Sequence, residues 1–265
     1  MFTPTYNRAK TLERLYESLK NQTYRNFEWL IVDDGSTDYT SSLIQNFLAE
    51  NLINIRYYYT PNGGKSRAIN FGVRKAKGDL FFIVDSDDYL PNTSLETVEA
   101  YWNAISKKEL YGGITFRKYD IRNHKIIGEK FIEKEFDSNH IAIENKYGAF
   151  DKAEVFSTKI LRKYPFPEFK NEKFVPEGFM WAKISTDYKM KYVDEVIYFC
   201  EYLEDGYTKN FKKNFKSNPK GFRLAYTYVL RNKNYKFTKR VKSFIRVLQS
   251  YYYSFWKSLR ENKNF

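Results

Sequence analysis

The first half of the chain alternates short apolar segments with segments of helical periodicity. The apolar segments lie at 27–34, 54–60 and 80–85. Apolar residues recur at the spacing of amphipathic helices in 10–21, after 35–38, in 66–78 and in 94–108. A polar GSTD segment at 35–38 supplies helix N-cap residues, and Gly78 is placed as the stop of the third helix. Strands that alternate with helices predict an α/β domain with a mostly parallel sheet.

Polar sequences follow the predicted strands at three places. They are TPTYN at 3–7, VDDGS at 32–36 and VDSDD at 84–88. A single acidic turn after a strand is common in proteins. Ligands bind at the carboxyl ends of strands in open α/β sheets, and parallel strands bring those ends to one edge. The three segments together therefore indicate a binding site at that edge.

The third of these segments carries closely spaced carboxylates. Asp85 and Asp87 form a DxD pattern whose hard oxygen ligands suit Mg²⁺ or Mn²⁺ bridging two phosphates. Such an ion would offset the repulsion between the carboxylates. In NGGKSRAIN (62–70), the glycines allow close backbone approach, the helix N-terminus favours an anion, and Lys65 and Arg67 add positive charge. Taken alone, this second segment is equally a glycine turn before a helix with exposed basic residues.

Five segments resemble, in order and spacing, a family 2 glycosyltransferase of GT-A fold. They are TPTYNR, VDDGSTD, NGGKSRAIN, GDLFFIVDSDDYLP and VPEGFMW. The resemblance covers about residues 1–205 and implies a Rossmann-like, mostly parallel central sheet flanked by helices. It divides the chain into a nucleotide-binding half at about 1–116, an acceptor half at about 117–205, and a basic helical extension at 206–265. It also implies that a sugar is transferred from a nucleotide-sugar to a hydroxyl acceptor with inversion at the anomeric carbon. The expected donor is a UDP-sugar.

The resemblance assigns roles to individual residues. Asp85 and Asp87 would bind Mn²⁺ or Mg²⁺, and either Asp33 or Asp34 would accept a hydrogen bond from the base. The nucleotide-binding set as a whole is Thr3, Pro4, Tyr6, Arg8, Asp33, Asp34, Lys65, Arg67, Asp85 and Ser86.

An inverting displacement needs a base to take the proton of the acceptor hydroxyl. By resemblance, Glu177 in VPEGFMW holds this position, although Gly178 follows it where the family commonly has a second acid. A helix-capping role is the structural alternative for Glu177. Weaker candidates for contact with the acceptor, or for closure over the donor, are Asp88, Trp181, Asp205 and Tyr207. Trp181 could stack on a sugar face, but a core position is the simpler expectation.

The family normally has several apolar residues before its TPTYN segment, whereas here only Met1 and Phe2 precede it. Either the start is truncated or the sheet opens with a shortened first strand, and we expect both to lower stability and nucleotide affinity. A single cysteine, Cys200, allows no internal disulfide and is expected to be a packed thiol in a reducing, cytoplasmic compartment. The two histidines, His124 and His140, lie far from the motifs in sequence, which argues against histidine-based zinc or triad chemistry.

The net charge of +13 is concentrated at the C-terminal end. From Gly206 onward there are 16 lysines and arginines and one acid, Glu261. An apolar stripe runs through the same segment, formed by Val241, Phe244, Ile245, Leu248, Tyr251, Tyr252, Phe255 and Leu259. A basic amphipathic helix rich in aromatic residues is typical of an element that lies on an anionic membrane surface. Packing on the catalytic domain or on a second subunit, as in a homodimer, is an equal alternative.

Together these features predict a cytoplasmic glycosyltransferase at the inner face of the membrane, acting on a glycan or lipid-linked acceptor in bacterial surface polysaccharide synthesis. Three other functions remain as alternatives. A nucleotidyltransferase would need a glycine-rich loop after the first strand, and TPTYNRAK has none. A nucleic-acid-binding protein would not need the acidic edge, which repels phosphates. A degenerate nucleotide-sugar binder would show donor binding without turnover.

Overall fold

The computed structural model describes residues 1–201 and 210–262. The strands are β1 (Phe2–Thr5), β2 (Glu28–Asp33), β3 (Asn54–Tyr59), β4 (Leu80–Phe82), β5 (Tyr111–Asp120), β6 (Lys125–Ile126), β7 (Glu135–Ser138), β8 (Ala153–Ser157) and β9 (Lys189–Cys200). The helices are α1 (Ala9–Lys20), α2 (Thr40–Glu50), α3 (Lys65–Lys75), α4 (Ser94–Asn103), α5 (His140–Tyr147), α6 (Thr158–Leu161), α7 (Glu177–Asp187), α8 (Phe211–Ser217), α9 (Pro219–Arg231) and α10 (Phe237–Asn262).

The first strands pair in parallel and bring their carboxyl ends together. β1, β2 and β3 are neighbours in that order, with Thr5 opposite Asp33 and Asp33 opposite Tyr59. β4 continues this set on the other side of β1 through a parallel bridge between Phe2 and Ile83. The short first strand pairs with β2 along its whole length. The polar segments that follow β1, β2 and β4 therefore share one edge of the sheet.

The second half extends the sheet with mixed pairing. Its order is β4-β8-β5-β9-β7, in which β8 is antiparallel to both neighbours and β5 runs parallel to β9. β6 forms a short antiparallel pair with β5, and β7 is antiparallel to β9. With helices flanking the sheet and further helices at the C-terminal end, the predicted α/β fold is confirmed.

The helical periodicity read from the sequence corresponds to buried faces. In α1, Leu12, Leu15, Tyr16 and Leu19 are at most 1% exposed. The Tyr16 ring lies 3.9 Å from the Phe47 ring of α2, centroid to centroid, and 6.1 Å from that of Trp29 on β2. This aromatic cluster joins α1 and α2 to one face of the sheet. Burial of such side chains is the main stabilising contribution to the domain.

Two helix boundaries differ from the sequence prediction. α2 begins at Thr40, after the GSTD segment, and Asp38 accepts a hydrogen bond from the Thr40 N–H at 3.0 Å. α3 ends at Lys75 and not at Gly78. The N–H of Gly78 donates to Glu28 Oε1 at 3.2 Å, and that of Lys77 donates to the same oxygen at 2.6 Å. A side chain of β2 therefore satisfies the amides after this helix, which the local sequence did not reveal.

α9 is one of the C-terminal helices that contact the domain. Glu172 accepts hydrogen bonds from the backbone N–H groups of Lys220 and Gly221, at 3.0 and 2.9 Å. α10 packs along α9 and reaches α8, where the Tyr253 ring lies 5.1 Å from that of Phe215. Within the described residues, none of the helices has the length and apolar character that a bilayer span requires.

Candidate active site

A cavity of about 2550 Å³ opens at the carboxyl edge of the parallel strands. Residues of α5, α7 and the C-terminal helices also line it. Among the residues singled out from the sequence, the structure brings the following to its wall: Pro4, Tyr6, Arg8, Asp34, Lys65, Asp85, Ser86, Asp87, Asp88, Glu177 and Trp181. Segments far apart in the chain thus line a single cavity.

Asp34 holds the loop before α3, which contains Gly63 and Gly64, against the end of β2. Its carboxylate accepts hydrogen bonds from the N–H groups of Gly63 and Gly64, both at 2.7 Å. Gly64 has φ +92°, and a Cβ there would lie 1.9 Å from the carbonyl oxygen of Lys173, so only glycine fits. Burial raises the pKa of Asp34, and the two amide hydrogen bonds oppose that rise. The loop before α3 is therefore fixed by the acidic strand end.

Asp33 and Thr3 face away from the cavity. Asp33 is fully buried and accepts hydrogen bonds from the Ser36 N–H at 2.8 Å and the Tyr57 hydroxyl at 3.0 Å. The hydroxyl of Thr3 is buried as well and accepts a hydrogen bond from Trp29 Nε1 at 2.9 Å. Of the two adjacent acids, Asp34 is the one that lines the cavity. The geometry thus favours Asp34 for contact with a bound base.

Arg67 also points elsewhere. Its guanidinium contacts Glu168 at 3.2 Å and donates to the carbonyl oxygens of Gly63 and Phe169 at 3.1 and 2.8 Å. Arg67 therefore contacts the loop before α3 and the segment at 168–169. The resemblance had assigned this residue to nucleotide binding.

Trp181 is a core residue with one edge on the cavity. It is 6% exposed, and its ring lies 4.3 Å from that of Phe156 and 5.8 Å from that of Phe166. These are the contacts of a packed core aromatic, which was the simpler expectation for Trp181.

Lys65 joins two of the predicted functional carboxylates. Its Nζ lies 2.7 Å from Asp85 Oδ1 and 2.8 Å from Glu177 Oε1. Burial would lower the pKa of Lys65, but the two carboxylates outweigh burial and raise that pKa well above its usual range. Burial would likewise raise the pKa of Asp85, but Lys65 and Lys118 outweigh it and lower that pKa. The ammonium group therefore stays charged and links the end of β4 to the start of α7.

The remaining acids of the VDSDD segment differ in their surroundings. Burial and the Asp85 charge raise the pKa of Asp87, and Arg8 opposes that rise. Burial raises the pKa of Asp88 to about 7. The Asp88 carboxylate accepts hydrogen bonds from the Tyr198 hydroxyl at 2.7 Å and the Glu201 N–H at 3.2 Å. Asp88 thus ties the acidic segment to the end of β9, while Asp85 and Asp87 face the cavity.

Asp85 and Asp87 suit a divalent cation that is shared with a ligand. The part of the chain that the structure describes contains no cluster of three or more histidine, cysteine or carboxylate side chains arranged to hold a metal. Burial and the charge of Asp85 raise the pKa of Asp87, and a cation bound by both carboxylates would offset their repulsion. Mg²⁺ is commonly held by one or two carboxylates together with substrate phosphates and water. The donor set therefore fits a metal that binds with a diphosphate.

Sequence reasoning missed Lys118 and His140 on the cavity wall. Lys118 Nζ lies 3.8 Å above the Tyr198 ring. His140 was expected far from the motifs, yet a Cβ built on Gly178 would lie 3.7 Å from its Nε2. Burial lowers the pKa of His140 to about 3, so the imidazole is neutral at physiological pH. Both residues reach the cavity through tertiary contacts, for which the sequence carries no local signal.

A third missed residue, Glu154, yields a prediction about pH. Burial raises its pKa from 4.5 to about 7, although Lys152 and Lys118 oppose the rise. A carboxyl whose pKa is raised by folding stabilises the native state below pH 4.5, and this contribution is lost as the pH rises through 7. We expect Glu154→Gln, which cannot ionise, to be more stable than the wild type at pH 8 by about 1–3 kcal/mol.

Thermal unfolding at pH 5 and pH 8 checks this expectation. The stability difference between Glu154→Gln and wild type should grow with pH, and Glu13→Gln, which changes an exposed carboxylate on α1, is the control variant. A difference for Glu154→Gln that is the same at both pH values would mean that the group ionises normally.

Two weaker candidates, Asp205 and Tyr207, lie outside the described residues.

Known proteins of similar sequence are glycosyltransferases. Residues 1–164 match the family model "Glycosyl transferase family 2". An uncharacterized glycosyltransferase of Haemophilus influenzae is 38% identical over 94 residues, which is 35% of this chain and 37% of that protein. Glycosyltransferase GlyG of Streptococcus pneumoniae is 38% identical over 96 residues, covering 36% of this chain and 32% of its own length. The matched segments thus span about a third of these relatives.

A third relative carries a more specific name. The GalNAc(5)-diNAcBac-PP-undecaprenol beta-1,3-glucosyltransferase of Campylobacter jejuni is 33% identical over 103 residues, which is 37% of this chain and 32% of that protein.

Solved structures share the fold over nearly the whole chain. The fragment 1–349 of S. aureus TarS in complex with UDP-GlcNAc superposes with a TM-score of 0.68 at 19% identity, covering 95% of this chain and 71% of its own. The mannosyltransferase PcManGT of Pyrobaculum calidifontis, in complex with GDP-Man and Mn²⁺, gives a TM-score of 0.60 at 19% identity and covers 95% and 68%. At these identities the likeness establishes the fold. With the family model matched over more than half of its residues, the chain belongs to glycosyl transferase family 2.

Proposed function

We propose that the protein is an inverting glycosyltransferase that moves a sugar from a UDP-sugar to a hydroxyl of a glycan or lipid-linked acceptor. One observation carries the proposal. The Lys65 ammonium lies within 2.8 Å of carboxylate oxygens of both Asp85 and Glu177, inside the cavity that Asp34 also lines. The proposed diphosphate site and the proposed base would therefore adjoin each other, as a one-step displacement requires.

The nucleoside would lie at the ends of β1 and β2. Tyr6 is 47% exposed at the rim, so its ring is available to stack on a base. Asp34 is the acid placed to accept a hydrogen bond from that base. Arg8 and Lys65 supply positive charge for the diphosphate, and the N-terminus of α3 adds the favourable field of its backbone amides. UDP-GlcNAc in the similar TarS structure supports a uridine donor.

Asp85 and Asp87 would hold Mn²⁺ or Mg²⁺ against the diphosphate. When bound, the cation would supply positive charge to the departing diphosphate. The Mn²⁺ of the similar PcManGT structure supports this choice of metal.

Glu177 would act as the general base. The acceptor hydroxyl gives its proton to a Glu177 carboxylate oxygen, and the hydroxyl oxygen forms a bond to the anomeric carbon. The bond from that carbon to the diphosphate breaks, and its electron pair leaves with the diphosphate. Lys65 orients Glu177 from one side, and the start of α7 fixes it from the backbone. Attack on the face opposite the leaving group inverts the anomeric configuration.

We place the reaction in bacterial surface polysaccharide or glycoconjugate synthesis, at the inner face of the membrane. The support is the C. jejuni relative, whose name specifies an undecaprenol-linked acceptor, together with the basic C-terminal segment. The alternative, a binder of nucleotide-sugars without turnover, differs only in whether a product forms.

Thermal unfolding with a panel of nucleotide-sugars, with and without Mn²⁺, tests donor binding. We expect a UDP-sugar at about 100 times its Kd to stabilise the native state by about 2.7 kcal/mol and to raise Tm by about 5 °C or more. The increase should require Mn²⁺. GDP-mannose, which changes both the base and the sugar, serves as the comparison. If no nucleotide-sugar raises Tm under either condition, the proposed donor site is wrong.

A further inference from the structure

α10 presents an apolar face to solvent. The helix has 26 residues and is therefore about 39 Å long. Large apolar or aromatic side chains recur on one side of it and are between 43% and 61% exposed: Val241, Phe244, Leu248, Tyr251, Tyr252 and Phe255. Single exposed apolar residues are ordinary on protein surfaces, but a contiguous stripe of this length is not.

The side of α10 that faces the protein is mostly polar, apart from Tyr253, which packs on Phe215 of α8. Ser243 is 3% exposed and Ser250 is fully buried. Arg246 lies over the Phe211 ring of α8 at 5.4 Å, and Lys257 donates to the carbonyl oxygens of Asn171 and Ser217. A helix that packs on a protein core normally buries its apolar stripe and exposes its polar residues. Here the arrangement is inverted, so the apolar stripe is not the helix's contact with the domain.

The charge around the stripe favours an anionic partner over a second copy of the chain. The segment from Gly206 onward has 16 basic residues and one acid. Lys242 is exposed beside the stripe, and Arg240 lies along the same helix, partly buried. Pairing two α10 stripes in a dimer would bring two such basic segments together, and like charges at close range repel. An anionic surface is attracted by the same residues.

α10 also borders the proposed transfer site. Tyr252, Tyr253, Trp256 and Lys257 line the same cavity as Glu177. A surface that binds the stripe would therefore lie next to this cavity.

We propose that α10 docks the protein onto an anionic lipid bilayer, with its apolar stripe in the headgroup region and Lys242, which is exposed beside the stripe, against the lipid phosphates. The helix would lie in the plane of the interface. This docking rests on the geometry and charge of α10. Its use, which is to bring a lipid-linked acceptor to the cavity from the membrane plane, rests on the proposed glycosyltransferase function.

Cosedimentation with vesicles of equal parts phosphatidylglycerol and phosphatidylcholine tests the docking. We expect the full chain to bind these vesicles and to bind pure phosphatidylcholine poorly. Sodium chloride at 0.5 M should weaken binding without abolishing it, because it screens the charges but leaves the apolar contribution. Leu248→Glu and Phe255→Glu should each weaken binding at least about tenfold, since each removes a buried apolar side chain from the interface.

Leu52→Glu is the matched control. Leu52 is 59% exposed and follows α2, outside the C-terminal segment, so this variant makes the same change in charge and should bind vesicles as the wild type does. UDP binding should be equal in all of these variants, which separates failure of the docking from failure of the donor site. Equal vesicle binding by Leu248→Glu and Leu52→Glu, or no binding by the wild type, would overturn the proposal. If the wild type is a dimer and Leu248→Glu is a monomer, the stripe is instead a contact with a second copy of the chain.

Discussion

Glu177→Gln is expected to bind the donor as the wild type does and to transfer sugar at least about 10²-fold more slowly, the scale of lost general-base catalysis. Glutamine has the shape of glutamate, and its amide oxygen can still accept a hydrogen bond from Lys65, which also keeps its contact with Asp85 at 2.7 Å. The variant therefore removes only the ability to take a proton. Initial rates of UDP release, measured beside UDP-sugar affinity, separate the two effects.

Glu154→Gln is the control within the same cavity. Glu154 lines the cavity, but its carboxylate is not the one bonded to Lys65. We expect this variant to keep most of its transfer rate. Near-normal turnover by Glu177→Gln combined with a large loss in Glu154→Gln would move the base to Glu154 and return Glu177 to a structural role.

Asp87→Asn is expected to abolish Mn²⁺-dependent binding of UDP without lowering the stability of the fold. The change removes one of two carboxylates available to the cation. It also removes a charge that the native state tolerates poorly, because burial and Asp85 raise the pKa of Asp87. Tm in the absence of metal should thus be unchanged or higher. Calorimetric titration of UDP with and without Mn²⁺ measures the loss directly.

Asp79→Asn provides the comparison for that titration. Asp79 is exposed just before β4, whereas Asp87 follows the opposite end of the same strand. Its substitution should leave Mn²⁺-dependent UDP affinity unchanged. If Asp87→Asn retained that affinity, the assignment of the cation to Asp85 and Asp87 would fail.

Features set by local periodicity and strand order could be predicted from the sequence. The 3-4 spacing in α1 identified its buried face, and the alternation of strands and helices predicted that Asp34 and Asp85 would meet at one edge. Topology alone sufficed for this, since parallel strands bring their carboxyl ends together.

Side-chain direction could not be predicted in the same way. Lys65 and Arg67 were assigned together, but residues two apart on a helix point about 200° from each other. Lys65 accordingly reaches Asp85, whereas Arg67 contacts Glu168 outside the cavity. His140 comes to the cavity by packing between distant segments. For α10, the spacing predicted an apolar stripe but could not reveal that its side chains are largely exposed to solvent.

The anomeric configuration of the first product tests the central claim most directly. The account predicts that a UDP-sugar with an α-linkage, supplied with Mn²⁺ and vesicles carrying lipid-linked glycans, yields a β-linked sugar in the proton NMR spectrum. A single displacement assisted by Glu177 allows no other outcome. An α-linked product would mean that the configuration is retained and would contradict a single displacement from the opposite face. UDP-sugar binding without any cleavage would show that the site binds the donor and does not transfer it.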